Sequence, residues 1–251
     1  MGRLDNRIAL VTGSSSGIGR AVALAFAAEG ATLAINFPDQ SQARNARDVA
    51  AEIEQLGRTV LPVQADVSRE DEVEKLVDSV MRRFGRIDIL VNNAGISTHG
   101  KVEELMVEQW DRLIAVNLRS VFLCTRRVLP VMYRQNYGRI ISTASQLAYR
   151  GCSGFSHYCA SKAAIIAFTR SMALEIGERD INANCVAPGI TRTPILEGVN
   201  EELIETIRRG IPKGRLASVD DIAPAYVFLA SDDSRHFVGQ CLSPNGGDVM
   251  L

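Results

Sequence analysis

Three side chains that can take part in proton transfer lie close together in the sequence. Tyr158 and Lys162 are four residues apart, and Ser145 stands thirteen residues before Tyr158. On a helix, residues i and i+4 share a face, so the lysine ammonium can lie beside the phenol. A neighbouring positive charge favours the phenolate and lowers a tyrosine pKa that otherwise lies near ~10. The phenol, the ammonium and the hydroxyl together predict acid–base chemistry at one reacting oxygen.

The first third of the chain has the pattern of a nucleotide site. Residues 7–12 read as a short buried strand, the glycines Gly13, Gly17 and Gly19 follow, and residues 20–30 read as a helix. Glycines let a backbone turn tightly beside a pyrophosphate, and a helix N-terminus presents free N–H groups to the anion. The spacing G-x-x-x-G-x-G is a variant of the commoner dinucleotide fingerprint.

Two further segments end at the same predicted edge. A third strand ends within residues 63–67, where Asp66 is placed to accept a hydrogen bond from an adenine amino group. Residues 89–95 form an apolar strand that runs into a turn of small and polar residues. In open parallel sheets, ligands bind at the carboxyl ends of the strands, so all three turns are expected around one ligand.

These motifs occur in an order that resembles a known family. The ordered set is Thr12-Gly13-x-x-x-Gly17-Ile18-Gly19, Asn92-Asn93-Ala94-Gly95, Asn117, Ser145, Tyr158-x-x-x-Lys162 and Pro188-Gly189 with Thr193. It resembles the compact single-domain branch of the short-chain dehydrogenase/reductase family, and the resemblance covers essentially the whole chain.

The resemblance implies a role for each motif. Tyr158 would be the general acid/base, Ser145 would bind the substrate oxygen, and Lys162 would bind the nicotinamide ribose while lowering the Tyr158 pKa. Asn117 would hold a water that connects Lys162 to solvent. The implied cofactor-binding residues are Gly13, Ser15, Ser16, Gly17, Ile18, Gly19, Asn36, Phe37, Asp66, Val67, Asn93, Ala94, Gly95, Tyr158, Lys162, Pro188, Gly189, Ile190 and Thr193. The expected substrate contacts are Ser145, Gln146, Ser97 and Tyr158.

Strand and helix patterns alternate throughout the chain. Helices are predicted over residues 41–56, 70–84, 107–135, 156–177 and 219–229, and later strands over residues 138–143 and 181–187. This alternation predicts a Rossmann-like α/β fold, with a doubly wound parallel sheet of about seven strands flanked by helices on both faces. We expect one domain over residues 1–251, with a substrate loop near residues 194–214.

Composition excludes several classes of partner. The net charge is −1, from 28 basic and 29 acidic residues, which provides no basic field for nucleic acid or a membrane surface. No apolar run reaches the ~18 residues of a membrane span, and the five scattered cysteines suggest reduced thiols. We therefore expect a cytoplasmic protein without a metal site, and the family resemblance implies a homotetramer.

The choice of dinucleotide depends on the end of the second strand. An acid there binds the ribose 2′-OH and repels a 2′-phosphate. This chain has the neutral Asn36, with Ser14 and Ser15 in the glycine loop and Arg44 nearby, whereas Asp39 counts in the other direction. The cofactor is therefore NAD(P), with NADP slightly favoured over NAD.

The substrate is less constrained than the reaction. Gln146 and Ser97 suit a hydroxylated substrate, so the first expectation is a sugar, a polyol or another small secondary alcohol. The alternative is a 3-oxoacyl thioester carried by acyl-carrier protein or CoA. A carrier protein would require a basic docking surface, to which Arg179 would add one charge beside the uncharged Asn136 and Tyr137. A different class, a non-catalytic nucleotide-binding regulatory protein, would have the same fold without turnover.

Overall fold

Seven parallel strands form one sheet at the centre of the molecule. The computed structural model describes residues 2–196 and 201–250. The strands are β1 (Ile8–Val11), β2 (Thr32–Phe37), β3 (Val60–Gln64), β4 (Ile89–Asn92), β5 (Gly138–Thr143), β6 (Ile181–Val186) and β7 (Cys241–Leu242). Their order in the sheet is β3-β2-β1-β4-β5-β6-β7, which confirms the predicted Rossmann-like architecture. From β1 to β3 successive strands are added towards one edge of the sheet, and from β4 onwards towards the other edge. Folds of this kind bind ligands at the point between β1 and β4 where this direction changes.

Helices cover both faces of this sheet. They are α1 (Gly17–Ala28), α2 (Ala43–Gln55), α3 (Glu70–Phe84), α4 (Val107–Ile114), α5 (Ser120–Gln135), α6 (Ser156–Ile176), α7 (Glu201–Gly210) and α8 (Val219–Ala230). One core cluster joins the sheet to α1, α2 and α8, and includes Phe26, Ile53 and Tyr226. A second cluster joins the opposite face to α3, α5 and α6. No helix of these described ranges is long and apolar enough to cross a membrane.

Three segments differ from the sequence-based expectation. The helix predicted over residues 107–135 contains a π-helical segment, Ala115–Arg119, between α4 and α5. The third strand ends at Gln64, so Asp66 lies in the turn after it. The expected substrate loop contains the helix α7, while its residues 197–200 lie outside the described residues.

The segment that was considered for a basic carrier-docking surface lies at the opposite edge of the sheet from the Ser145 turn. Asn136 and Tyr137 directly precede β5, and Arg179 precedes β6, so all three lie at the amino ends of strands. The Arg179 guanidinium donates to the Ile176 carbonyl at 2.8 Å. Arg179 therefore adds no charge beside the site within one chain, because Ser145 follows the carboxyl end of β5.

Candidate active site

Tyr158 and Lys162 lie on one face of α6, as their spacing predicts. The Lys162 Nζ is 5.6 Å from the centroid of the Tyr158 ring and donates to the Thr143 carbonyl at 2.8 Å. Lys162 is 4% exposed, and burial lowers its pKa to about 8, because removing the ammonium from water disfavours the charged form. The lysine therefore changes charge within a range of pH in which enzymes commonly work.

The Tyr158 pKa differs in direction from the expectation. Burial raises the pKa of the phenol above its usual value, and the neighbouring Ser145 hydroxyl lowers it only in part. The Lys162 ammonium lies 5.6 Å from the ring centroid and donates to the Thr143 carbonyl, so the effect of burial on the phenol is the larger one. Before cofactor binds, burial therefore outweighs the expected lysine-driven fall in the Tyr158 pKa, and the phenol is protonated at neutral pH.

Ser145 begins the short turn that follows β5. Its Oγ accepts the backbone N–H of Leu147 at 3.1 Å, which holds the hydroxyl at the start of the 3₁₀ turn Gln146–Ala148. The hydroxyl is close enough to Tyr158 to influence its pKa, so the structure brings these two predicted residues together. A hydroxyl and a protonated phenol side by side can bind one carbonyl oxygen and stabilise the negative charge that develops on it.

Asn117 occupies the π-helical segment, and its side chain points into the protein. It is fully buried, and its Nδ2 donates to the Ser161 Oγ at 3.3 Å. A Cβ placed on Gly95 would lie 3.4 Å from the Asn117 Oδ1 and 3.6 Å from the Lys162 Nζ. The amide and the ammonium therefore converge beside Gly95, and the role of Asn117 in proton exchange stays a prediction. Ser161 was not expected at the site; its position one residue before Lys162 was the available signal.

The glycine loop turns tightly and packs against the backbone of its neighbours, with no room for side chains at Gly13 and Gly19. Gly13 and Gly17 adopt positive φ angles of 61° and 56°. A Cβ on Gly13 would lie 2.8 Å from the Ala94 Cα, and one on Gly19 would overlap the Gly13 carbonyl. Ser16 precedes α1 without a side-chain cap, so the first N–H groups of the helix are available to an anion. These features fit a bound dinucleotide.

Thr12 and Asn93 join the glycine loop to the turn after β4. The Thr12 Oγ1 accepts the N–H groups of Asn93 and Ala94 at 3.0 and 3.1 Å. The Asn93 Nδ2 donates to the carbonyls of Thr12 and Gly13, both at 3.0 Å. The side chain of Asn93 thus holds the loop in shape, which leaves the backbone of Ala94 and Gly95 as the surface for a ligand.

Asn36 is a structural link at the end of β2. It is 2% exposed, its Oδ1 accepts the Gly13 N–H at 3.2 Å, and its Nδ2 donates to the carbonyls of Ala65 and Val63 at 3.0 and 3.3 Å. The amide thereby ties the glycine loop to the ends of β2 and β3. Direct contact between Asn36 and a ribose stays a prediction, with most of the amide already engaged.

The other adenosine-side residues have limited freedom. Phe37 packs with Ala43 and Ala46 of α2, and Val67 is 4% exposed, so only their backbones are open to a ligand. Burial raises the pKa of Asp66, but hydrogen bonds from Ser68 and the charge of Arg112 outweigh it, so the net pKa is lowered. The Asp66 carboxylate is therefore ionised and available as an acceptor.

The segment after β6 lies across the mouth of the glycine loop. A Cβ on Gly17 would lie 3.6 Å from Thr193, which places Thr193 beside the start of α1. The backbone of Gly189 donates to the Pro244 carbonyl at 3.1 Å, and the Gln146 N–H donates to the Pro188 carbonyl at 3.0 Å. The nicotinamide-side contacts of Pro188, Gly189, Ile190 and Thr193 stay predictions; the structure places Pro188 against the Ser145 turn and Thr193 beside the start of α1. Ser97 is half-buried in the coil after β4.

A carboxylate that the sequence did not indicate completes this region. Asp248 accepts the Gln146 Nε2 at 2.6 Å and the Arg150 Nη1 at 2.7 Å. About a hundred residues separate it from its partners, so no local pattern could have pointed to it.

Comparison with known proteins gives consistent matches over nearly the full chain. A family model described as enoyl-(acyl carrier protein) reductase matches residues 13–248. The chain is 39% identical to the 3-oxoacyl-[acyl-carrier-protein] reductase FabG of Thermotoga maritima, over 99% of this chain and 100% of that protein. It is 41% identical to the (2S)-[(R)-hydroxy(phenyl)methyl]succinyl-CoA dehydrogenase subunit BbsD of Thauera aromatica, over 99% and 98% of the two chains.

Solved structures agree with these sequence matches. A putative short-chain alcohol dehydrogenase from Sinorhizobium meliloti superimposes with a TM-score of 0.93 at 31% identity, covering 98% of this chain and 97% of that one. Levodione reductase superimposes with a TM-score of 0.92 at 34% identity, covering 97% and 98%. Two of the similar proteins are named for thioesters, one of acyl-carrier protein and one of CoA.

Proposed function

Because this chain belongs to the short-chain dehydrogenase/reductase family, we propose that it reduces 3-oxoacyl thioesters to 3-hydroxyacyl thioesters. Family membership makes it an oxidoreductase that acts on CH–OH and keto groups, which confirms the enzyme prediction over the regulatory alternative. The substrate class is supported by one observation above all. The similar FabG and BbsD proteins, each matched over nearly their whole length, are named for a carrier-protein thioester and a CoA thioester.

The state of Tyr158 supports the reductive direction. A nicotinamide dinucleotide, when bound, supplies the hydride that reaches the keto carbon. The Ser145 hydroxyl donates a hydrogen bond to the keto oxygen, and Tyr158 transfers its proton to that oxygen as negative charge develops there. Burial keeps the Tyr158 phenol protonated at neutral pH, which is the form that an acid catalyst of reduction requires. The products are the 3-hydroxyacyl thioester and the oxidised dinucleotide.

After Tyr158 has given up its proton, Lys162 stabilises the resulting phenolate and Asn117 assists its reprotonation. A protonated Lys162 stabilises negative charge on Tyr158 through their shared helix face, since the Nζ lies 5.6 Å from the ring centroid. We infer that Asn117 helps to return a proton to this pair, because its amide converges with the Lys162 Nζ beside Gly95.

We infer a preference for NADP over NAD. The end of β2 carries the neutral, buried Asn36 in place of an acid that would repel a 2′-phosphate. The one acid that follows, Asp39, is exposed and its Oδ1 is engaged by the Ser41 N–H at 2.9 Å. The Ser15 hydroxyl of the glycine loop donates to the Gln42 Oε1 at 3.3 Å, just before α2, and we infer that the 2′-phosphate binds between these two segments. A kcat/KM ratio of NADPH over NADH near or below one would contradict this inference.

We propose that the chain assembles as a homotetramer in the cytoplasm. Large apolar side chains are exposed on α4, α5 and α6, where Trp110, Phe122 and Leu174 are 40%, 45% and 85% exposed. An open apolar cavity of about 480 Å³ between these helices is lined by Leu118, Phe122 and Phe168, among others. Exposed apolar area of this kind favours association. Light scattering after size-exclusion chromatography tests this, and a monomer would contradict it.

Reduced-nicotinamide absorbance tests the proposed reaction. Acetoacetyl-CoA and acetoacetyl-acyl-carrier protein, each with NADPH, should be consumed, whereas Tyr158→Phe should consume neither. Sugars and polyols with NADP, tested in the oxidative direction, should give at most slow turnover. Rapid turnover of a sugar or polyol without turnover of either thioester would overturn the proposal and restore the first expectation.

A further inference from the structure

Thr143 stands at the end of β5 and has partners on both faces of the sheet. The ladder between β4 and β5 ends at the pair Asn92–Ser142, and Thr143 is the next residue. Its carbonyl accepts from the Lys162 Nζ at 2.8 Å, and its Oγ1 is hydrogen-bonded to the Tyr226 hydroxyl at 2.7 Å. The helices that carry these two partners, α6 and α8, pack on opposite faces. One residue of β5 therefore joins the lysine of the site to a tyrosine across the sheet.

The contact between Tyr226 and Thr143 is closed to water. Tyr226 is fully buried and Thr143 is 7% exposed. Either oxygen can be the donor of their hydrogen bond. Such a bond is costly to break, because a buried hydroxyl that loses its partner keeps the cost of having lost water. The bond therefore holds the Thr143 side chain in one orientation against α8.

This bond adds a constraint at the point where the sheet itself becomes incomplete. The peptide after Thr143 is held on one side, where the Ala144 N–H donates to the Val186 carbonyl at 2.7 Å. On the other side the ladder with β4 has ended, and the Thr143 carbonyl faces the Lys162 ammonium. A peptide held by one strand can still tilt about that single bond. The Tyr226 hydroxyl resists the tilt, because it holds the same residue that presents the carbonyl.

We propose that Tyr226 is a positioning residue for the Lys162 ammonium and acts through Thr143. The inference rests on the proposed role of Lys162 in stabilising the Tyr158 phenolate. Tyr226 acts from the core side of α8, where its hydroxyl fixes the residue whose carbonyl binds the ammonium. Without that link the carbonyl moves away from Lys162, and a buried ammonium that loses its acceptor favours the neutral amine. The phenolate then loses the positive charge beside it.

The first test removes the hydroxyl of Tyr226 and keeps its ring in the core. In Tyr226→Phe the pKa of Lys162 should fall below its value of about 8. The decline in kcat/KM for acetoacetyl-CoA with NADPH should therefore move to lower pH, by up to about one pH unit, which corresponds to about one hydrogen bond. The loss of kcat/KM should be larger at pH 8 than at pH 6, where the lysine stays charged.

The titration of Lys162 can also be followed without substrate. The ¹³Cε signal of this lysine, assigned by its absence in Lys162→Met, reports the pKa of the free protein and should show the same fall in Tyr226→Phe. Two other titratable groups act beside the ammonium. A hydrogen bond with Cys241 and burial raise the pKa of the Cys185 thiol well above its usual value, and burial raises the pKa of Tyr158. A titration near pH 8 therefore belongs to the lysine.

A double variant separates positioning from folding. Tyr226→Phe and Thr143→Val each leave one hydroxyl buried and unpaired, so each should lower the melting temperature. The double variant removes both hydroxyls and should recover most of that loss. The lowered pKa of Lys162 should nevertheless persist, since the link is absent in all three proteins. Tyr137→Phe is the matched control, because its hydroxyl bonds to Asp232 at the opposite edge of the sheet, and it should leave the Lys162 pKa unchanged.

The outcomes separate the inference from the reaction. If the Lys162 pKa is unchanged in Tyr226→Phe, or recovers together with the melting temperature in the double variant, Tyr226 is only a core residue and the inference is overturned. It is also overturned if the Lys162 pKa falls while the pH profile of the active enzyme stays in place. If the unaltered enzyme does not reduce acetoacetyl-CoA and the Lys162 pKa still falls and stays low, the proposed substrate fails while the link between Tyr226 and Lys162 stands.

Discussion

The side-chain amide of Asn117 is hydrogen-bonded to both the N–H and the carbonyl of Ile96. Its Nδ2 donates to the Ile96 carbonyl at 2.9 Å, and its Oδ1 accepts the Ile96 N–H at 2.8 Å. The π-helical segment Ala115–Arg119 places this amide at the loop that follows Gly95. One side chain thus fixes the loop after β4 and lies close to the Lys162 ammonium, because its Oδ1 and the Lys162 Nζ both lie beside the same face of Gly95.

Replacing Asn117 by alanine should therefore cost stability and activity together. The variant leaves the half-buried N–H and carbonyl of Ile96 without their partners, at a cost of about 2 kcal/mol in the free energy of unfolding. Turnover should fall at least about tenfold, since each 1.4 kcal/mol of lost positioning is a factor of ten. Urea unfolding and steady-state kinetics measure both effects. Ser161→Ala removes only the 3.3 Å bond to Asn117 and should have a smaller effect on stability; equal losses would show that the Ile96 contacts are not the important ones.

Replacing Tyr158 by phenylalanine removes the proton donor and keeps the ring. Turnover should fall by about 10²–10⁴-fold, the usual contribution of a positioned acid. The dissociation constant of NADPH, measured by quenching of protein fluorescence, should change by less than about threefold, because the ring and its packing remain. Loss of dinucleotide binding along with turnover would show that Tyr158 acts mainly through structure.

Lys162 should determine how the reduction depends on pH. Its pKa is lowered by burial to about 8, so the ammonium that stabilises the Tyr158 phenolate is lost as the pH rises through that value. The kcat/KM for reduction, which reflects the free enzyme, should fall above about pH 8. In Lys162→Met this decline should be absent and turnover should be lower by roughly 10²-fold at neutral pH. An unchanged pH profile in the variant would assign the decline to another group.

The same lysine makes a prediction about stability with a definite sign. The folded pKa of about 8 lies below the ordinary value of 10.5, so between these values the unfolded chain binds more protons than the folded one. Stability therefore gains from Lys162 as the pH rises from about 8 towards 10.5. The Lys162→Met variant lacks this gain, and its melting temperature relative to the unaltered protein should decline across that range. A constant difference would show that the lysine titrates normally in the folded state.

Local patterns predicted the elements better than they predicted the connections between them. The limits of α3 and β5 match the predicted residues 70–84 and 138–143, because helix and strand periods repeat within each segment. The π-helical segment around Asn117 was not predicted, since it is a single short turn between two ordinary helical segments, α4 and α5. The Asp248–Gln146 contact joins residues 102 apart, and only the assembled fold brings them together.

Asn36 shows the same distinction in the dinucleotide site, and it yields the last prediction. Its position at the end of β2 suggested a contact with ribose, yet its Nδ2 donates to the carbonyls of Val63 and Ala65. In Asn36→Asp a carboxylate, which can only accept hydrogen bonds, would face those two carbonyls and leave them without a donor. The position is 2% exposed, so water cannot replace the lost donor. The free energy of unfolding should fall by about 3 kcal/mol or more, the cost of leaving a buried charge poorly paired.

Asp39→Asn provides the comparison, because Asp39 is exposed and caps only the short turn Gln40–Gln42. That variant should lose less than about 1 kcal/mol. Measuring NADPH and NADH kinetics on both variants then separates two effects that a single substitution would mix. If Asn36→Asp unfolds like the unaltered protein and shifts the preference to NADH, the carboxylate has turned towards the ribose and the amide is not a structural link. If it is destabilised while the preference is retained, the shape of the glycine loop depends on the amide of Asn36 and cofactor choice lies with Ser15 and the start of α2.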